Sequence, residues 1–147
     1  MSDKKQIKLH LTFERDGEDG KETESFPVFG EMNFEETKTH ISYSRKDGDM
    51  TEKVTVTVHT DGRAEIDREG AGYKSRLFIR QGKTVPANYL TPYGVMDLST
   101  KGNFVSFDYD GETGILKLSY DLLFSGKFYS VNNVTVKIEE QSNKGEI

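Results

Sequence analysis

The chain contains no cysteine and no tryptophan, only three prolines in 147 residues, and no long apolar run. Without cysteine there is no disulfide framework, no thiolate nucleophile and no Cys-based zinc or iron–sulfur site, so packing and hydrogen bonds must hold the fold. No stretch approaches the ~20 apolar residues of a membrane-spanning helix. The start, Met1-Ser2-Asp3-Lys4-Lys5-Gln6, leads into an alternating strand and not into the apolar segment of a signal peptide. A cytoplasmic protein with no membrane partner is the expectation. Positive charge is also short: 20 Lys and Arg stand against 25 Asp and Glu, a net charge of -5. That balance argues against neutralising a phosphate backbone, so no nucleic-acid partner is expected despite the local strip Lys74, Arg76 and Arg80.

Apolar residues make up 33% and charged residues 31%, yet nine Phe and seven Tyr exceed what a disordered chain carries. A sheet with one wet face accounts for both, because each strand sends every second side chain to solvent. The clearest case is Gln6 to Arg15, where Ile7, Leu9, Leu11 and Phe13 alternate with Lys8, His10, Thr12 and Glu14. Val54, Val56 and Val58 alternate with Thr55, Thr57 and His59, and Asp61-Gly62 then reads as a tight hairpin turn.

Further strands read over 22–29, 39–45, 63–67, 73–80, 84–90, 95–100, 103–109, 115–124 and 127–139. Pro27 places its strand at an edge or bulge, since it has no N–H to donate. Asn33 reads as the cap of a single helical turn through Phe34-Glu35-Glu36. On the last two strands Leu116, Leu118, Tyr120, Leu122 and Phe124 face Phe128, Val134, Val136 and Ile138, and Ser130 and Asn132 interrupt that stripe. The interruption marks either a barrel mouth or a bulge.

The expected architecture is all-β: one antiparallel meander of roughly eight to eleven strands closed into a barrel, because an open twisted sheet of that size curls or splits. One domain covers residues 6–140, with a flexible start at 1–5 and a frayed tail at 141–147.

Three central segments carry a family likeness: Arg68-Glu69-Gly70-Ala71, Ser75-Arg76-Leu77-Phe78 and Tyr89-Leu90-Thr91-Pro92-Tyr93-Gly94, extended by Leu116 to Leu122 and Gly126. Together they resemble the YwiB family, a domain-of-unknown-function family of low-GC Gram-positive bacteria. The resemblance covers about Ile7 to Glu140 and implies a lipocalin-like, calycin-type β-barrel. It implies no activity, because the family has no established one.

The candidate ligand-binding residues are Arg76, Tyr89, Tyr93 and Tyr120. Tyr89 and Tyr93 would form an aromatic rim at a barrel mouth, although proline and glycine explain the Thr91-Pro92-Tyr93-Gly94 turn without a ligand. Arg76 either clamps an anion, if Phe78 faces the lumen, or is solvated, if Leu77 does. Asp97, Asp108, Asp110, Glu112 and Asp121 read as solvated carboxylates and not as a hydrolytic pair. His10, His40 and His59 are scattered, without metal-site spacing, and point outward. Neither a nucleophile elbow nor a phosphate loop is present. No catalytic residue, metal or cofactor is therefore assigned. The expected function is non-enzymatic binding of a small amphipathic or aromatic ligand in the lumen. The alternatives are a protein-interaction module with a filled barrel, including a homodimer, and an enzyme at the mouth built on Arg76 and Tyr93.

Overall fold

A computed structural model describes residues 3–141. Their regular structure is entirely β: β1 (Asp3–Gly17), β2 (Gly20–Phe34), β3 (Lys38–Asp47), β4 (Met50–His59), β5 (Ala64–Gly70), β6 (Tyr73–Ile79), β7 (Thr84–Pro86), β8 (Asn88–Thr91), β9 (Gly94–Val95), β10 (Leu98–Tyr109), β11 (Thr113–Phe124) and β12 (Lys127–Glu140). The strands number twelve, more than the eight to eleven expected. Against the eleven runs read from the sequence, one splits, the two-residue β9 is added and two merge. The run expected over 84–90 breaks at Ala87, whose N–H donates to the Leu98 carbonyl at 2.8 Å, into β7 and β8. The runs expected over 95–100 and 103–109 join as β10 through a bulge at Asn103, whose amide donates to Asp121 at 3.0 Å. β1 also begins at Asp3, inside the segment expected to be flexible, while most of the expected tail, 142–147, lies outside the described residues.

The order across the sheet is β7-β10-β11-β12-β1-β2-β3-β4-β5-β6-β8-β9. The two flanks must meet, because the chain leaves β6 at Ile79 and enters β7 at Thr84, a step of at most about 18 Å when fully extended. They meet at Gly102. Gln81 bridges to it, the Gly82 N–H donates to its carbonyl at 2.9 Å, and its own N–H donates to the Lys83 carbonyl at 3.2 Å. One residue pair away, the Thr100 hydroxyl donates to the Phe78 carbonyl. The sheet thus curls into a barrel.

The barrel is not uniformly laddered. β2 pairs with β3 only over Gly30 to Phe34, so its first part, which contains Pro27, pairs with β1 alone. Pro27 sits on a local edge, where a missing N–H costs no ladder bond to β3. The expected helical turn after Asn33 is absent; residues 35–37 form a bend into β3, closed by a Glu35 N–H to Lys38 carbonyl bond of 2.8 Å. Too few residues separate β2 from β3 for a helix to repay its nucleation.

One end of the barrel is packed solid. Ile7, Leu9, Met32, Ile41, Ile66, Ile79, Leu116, Leu118, Val136 and Ile138 are all essentially without solvent contact. At the other end the register of β11 with β12 shifts, so that Leu122 faces Ser130 and Leu123 faces Phe128, with Tyr129 as the additional residue. Phe128 therefore turns outward and is 51% exposed, which removes it from the apolar stripe expected of it. Ser130 and Asn132 stay on the inward face at the open end, so mouth and bulge occur together.

Gly102 tests the closure. A Cβ there would lie 2.4 Å from the Arg80 carbonyl oxygen, a backbone atom that cannot step aside. Gly102→Ala should lower unfolding stability by about 1–3 kcal/mol in urea denaturation. Gly48→Ala meets nothing within 4 Å, so its cost is limited to that of a positive φ.

Candidate functional site

Along each long strand the inward-facing side chains change character from one end of the barrel to the other. On β1 they run Leu9, Leu11, Phe13, Arg15; on β3, Ile41, Tyr43, Arg45; on β5, Ala64, Ile66, Arg68; on β12, Ile138, Val136, Val134, Asn132. The period of two keeps each series on one face, so the aliphatic ends stack into the core and the aromatic and polar ends collect at the open end. They surround a cavity of about 690 Å³, open on one side.

Its charged groups are mostly arranged in pairs. Arg45 forks onto Glu24 at 2.9 and 2.8 Å, with its guanidinium 3.9 Å above the Phe26 ring, and so ties β3 to the part of β2 that lacks a ladder. Arg15 meets Glu22 at 2.8 Å. Glu52 accepts a hydrogen bond from the Tyr73 hydroxyl, and the Tyr73 ring stacks on Tyr89 with centroids 6.4 Å apart. Gly70 makes this possible, since a Cβ there would come within 2.5 Å of the Tyr73 ring. Arg68 lies 5.2 Å from the Phe13 ring centre, and no carboxylate among the described residues comes within ion-pair distance of it.

The electrostatics follow from these contacts. The hydrogen bond from Arg45 holds the Glu24 carboxyl below its usual range, against the opposing effect of burial. Burial pushes the Tyr43 phenol up to about 12, with Arg68 pulling the other way. Tyr120 is raised by burial too, again opposed by Arg68. Both phenols are therefore protonated near neutral pH and present donors to the cavity.

Of the residues singled out from sequence, Tyr89 and Tyr120 lie on this cavity. Arg76 does not. The Leu77 face is the inward one, with Leu77 9% exposed, so Arg76 points outward and pairs with Asp67 at 2.5 Å. Tyr93 is 99% exposed at the tip of its turn, where the Thr91 hydroxyl accepts from the Tyr93 N–H at 3.1 Å and donates to the Gly94 carbonyl at 3.0 Å. The turn is explained by its own hydrogen bonds. None of Asp97, Asp108, Asp110, Glu112 and Asp121 lines the cavity, and Asp110 accepts the N–H groups of Glu112 and Thr113 at 2.9 and 2.8 Å. The histidines lie on the outer face: His10 with Ser25, His40 between Thr57 and Glu35, and His59 with Glu65. The reading from sequence passed over Tyr43, Arg45, Arg68, Glu24 and Glu52. The signal for Arg68 was its place two residues after Ile66, on the stripe that begins at Ala64.

Residues 7–138 match the family model described as a domain of unknown function, DUF1934. The chain belongs to that family. It is 23% identical over 139 residues to the uncharacterized β-barrel protein YwiB of Bacillus subtilis, a match that covers 95% of this chain and 96% of that one. The crystal structure of the Bacillus subtilis protein superposes with a TM-score of 0.81 at 22% identity, over 95% of this chain and 94% of that one. These matches establish the barrel fold across nearly the whole domain and leave its role open. No helix among the described residues is long and apolar enough to cross a membrane.

The Tyr43 phenol yields a pH prediction. A folded-state value near 12 against an ordinary 10 means that stability is fully present below pH 10 and is lost as pH rises towards 12. The loss amounts to about 2–3 kcal/mol for this group. Urea denaturation of the wild type and of Tyr43→Phe at about pH 9 and about pH 11 checks it: the stability gap between them should shift in favour of the variant at the higher pH, other titrations being common to both.

Proposed function

We propose that the open half of the lumen binds a small amphipathic or aromatic molecule and that the protein acts as a cytoplasmic, non-enzymatic binder. The observation that carries this reading is the cavity itself. Its volume of about 690 Å³ falls within the ~300–1,000 Å³ usual for small-molecule sites, and its wall mixes aromatic faces with a few directed polar groups. Tyr43, Tyr89 and Tyr120 supply flat apolar area together with hydroxyl donors, and Leu98, Leu122 and Val134 complete the apolar wall. This is the use of the lumen familiar from lipocalin-type barrels. A binding role also fits the absence of histidine from the cavity lining, since general acid–base chemistry near neutral pH most often draws on one.

A second reading rests on a different observation. The stretch from Gly20 to Phe29 pairs with β1 alone and carries Phe29 at 63% exposure, an open strand edge of the kind that takes an added strand from a partner or a second copy.

Native mass spectrometry of protein purified gently from its own host separates the two. Lumen binding predicts one small-molecule adduct per chain, released on denaturation and missing from Ser75→Trp, which fills the cavity from the β6 wall. A bare chain, together with a dimer that Phe29→Lys dissociates, would replace this reading with the second.

A further inference from the structure

Three arginines enter the open half of the lumen, and they are not equivalent. Arg15 is met by Glu22 and Arg45 by Glu24, so both are largely neutralised where they stand. Arg68 is half-buried and has no carboxylate within ion-pair distance among the described residues. Of the acids that line the cavity, Glu52, two residues along β4 from its partner Val54, is taken by the Tyr73 hydroxyl, and Glu24, which also feels Arg68, is held by Arg45. A partly exposed guanidinium whose planar fork is uncommitted matches the two oxygens of an anion.

Two further donors share its surroundings. Tyr43 and Tyr120 are 5% and 6% exposed, both line the cavity, and neither hydroxyl has a hydrogen-bond partner among the described residues. Neither oxygen is sealed from solvent, so each is open to the cavity as a donor. Tyr43 and Arg68 stand at one level of the wall, on either side of Val54, and Tyr120 lines the same cavity from β11. The lining beside them includes apolar surface: the Phe13 ring under the guanidinium, the Phe26 ring against Phe13 at 6.1 Å, and Leu122. Donors set among ring faces suit a guest that carries both a flat apolar part and an acceptor group.

Building on the lumen-binding reading, we infer that the ligand is a planar, apolar molecule bearing one anionic group, a carboxylate, sulfonate or phosphate, received by Arg68 with the Tyr43 and Tyr120 hydroxyls as auxiliary donors.

Two fluorescent probes with the same ring system test this on the full chain: anilinonaphthalene sulfonate, which carries the anion, and phenylnaphthylamine, which does not. The wild type should bind the sulfonate more tightly, and rising ionic strength should narrow that preference. Arg68→Gln should weaken the sulfonate by about tenfold or more, the usual worth of a charge-assisted hydrogen bond, and leave the neutral probe nearly unchanged. Arg68→Lys keeps the charge without the fork and should retain part of the preference. Unchanged urea midpoints confirm that the variants are folded, and the salt dependence of the wild type carries the test if Arg68→Gln is not. If both probes bind and Ser75→Trp blocks both, but the wild type shows no sulfonate preference or Arg68→Gln weakens the two equally, the anion inference is wrong and the lumen reading survives. If neither probe binds, or Ser75→Trp blocks neither, the lumen reading falls and the inference with it.

Discussion

The contact on which the rest of the structure depends is the seam at Gly102. A curled sheet of this size presents two flanks to solvent unless they meet, and here the crossing from β6 to β7 brings them together over a few residues. The backbone hydrogen bonds there run from Gly82 to Gly102 and from Gly102 to Lys83, and a side chain at position 102 would strike Arg80. Closure also defines an inside. Only because the flanks meet do the inward faces of β5 and β6 look across at β11 and β12, so that Arg68 and Tyr120, far apart in sequence, line one cavity.

Once the barrel is closed, division of labour along its axis follows from strand length. β1, β4, β11 and β12 are each at least ten residues long, longer than the usual ~5–6. A strand of that length has inward positions to spare: the first few complete the aliphatic plug, and the remainder extend past it. Burial is worth ~25 cal/mol per Å² of apolar surface, so the plug of Leu9, Ile66, Leu118 and their neighbours supplies the main driving force for folding. The extensions are then free to carry charge, provided that it is paired or can reach water through the open side.

Much of this was legible in the sequence, and what was not has specific physical causes. Alternation in 6–15 and 51–60 marked the all-β class and the inward residues of β1 and β4, because period two has one structural meaning. The likeness carried by Thr91-Pro92-Tyr93-Gly94 and its neighbours led to the right family. The strand boundaries missed because the break at Ala87, the short pairing of β9 with β8 and the bulge at Asn103 are events of pairing, and pairing partners are not written locally. Arg76 and Arg68 show the same limit in the site. Each lies on a strand with alternating neighbours, and which parity faces inward is settled only by the register with the adjoining strand, where Ile66 opposes Leu77 and Asp67 opposes Arg76. The stripe Ala64, Ile66, Arg68 contained the answer, but a charge at the end of an apolar stripe reads as the end of the core until closure shows that the stripe continues into a cavity.

The gap between β2 and β3 shows how such a cavity stays open. A full ladder there would bring Gly20 to Phe29 against the end of β3 and narrow the mouth; Pro27 withholds one donor, and the ladder resumes only at Gly30, where a Cβ would strike the Ser42 carbonyl at 2.4 Å. Close approach at Gly30 thus gives way to separation beyond it. Arg45 spans the separation through Glu24 and Phe26, yet both members of that ion pair are substantially exposed, and exposed pairs contribute only ~0.2–1 kcal/mol. The clamp is therefore too weak to hold the barrel together and sufficient to set where the wall stands. Stability resides in the aliphatic end and the seam, and the mouth is shaped by contacts that cost little to rearrange.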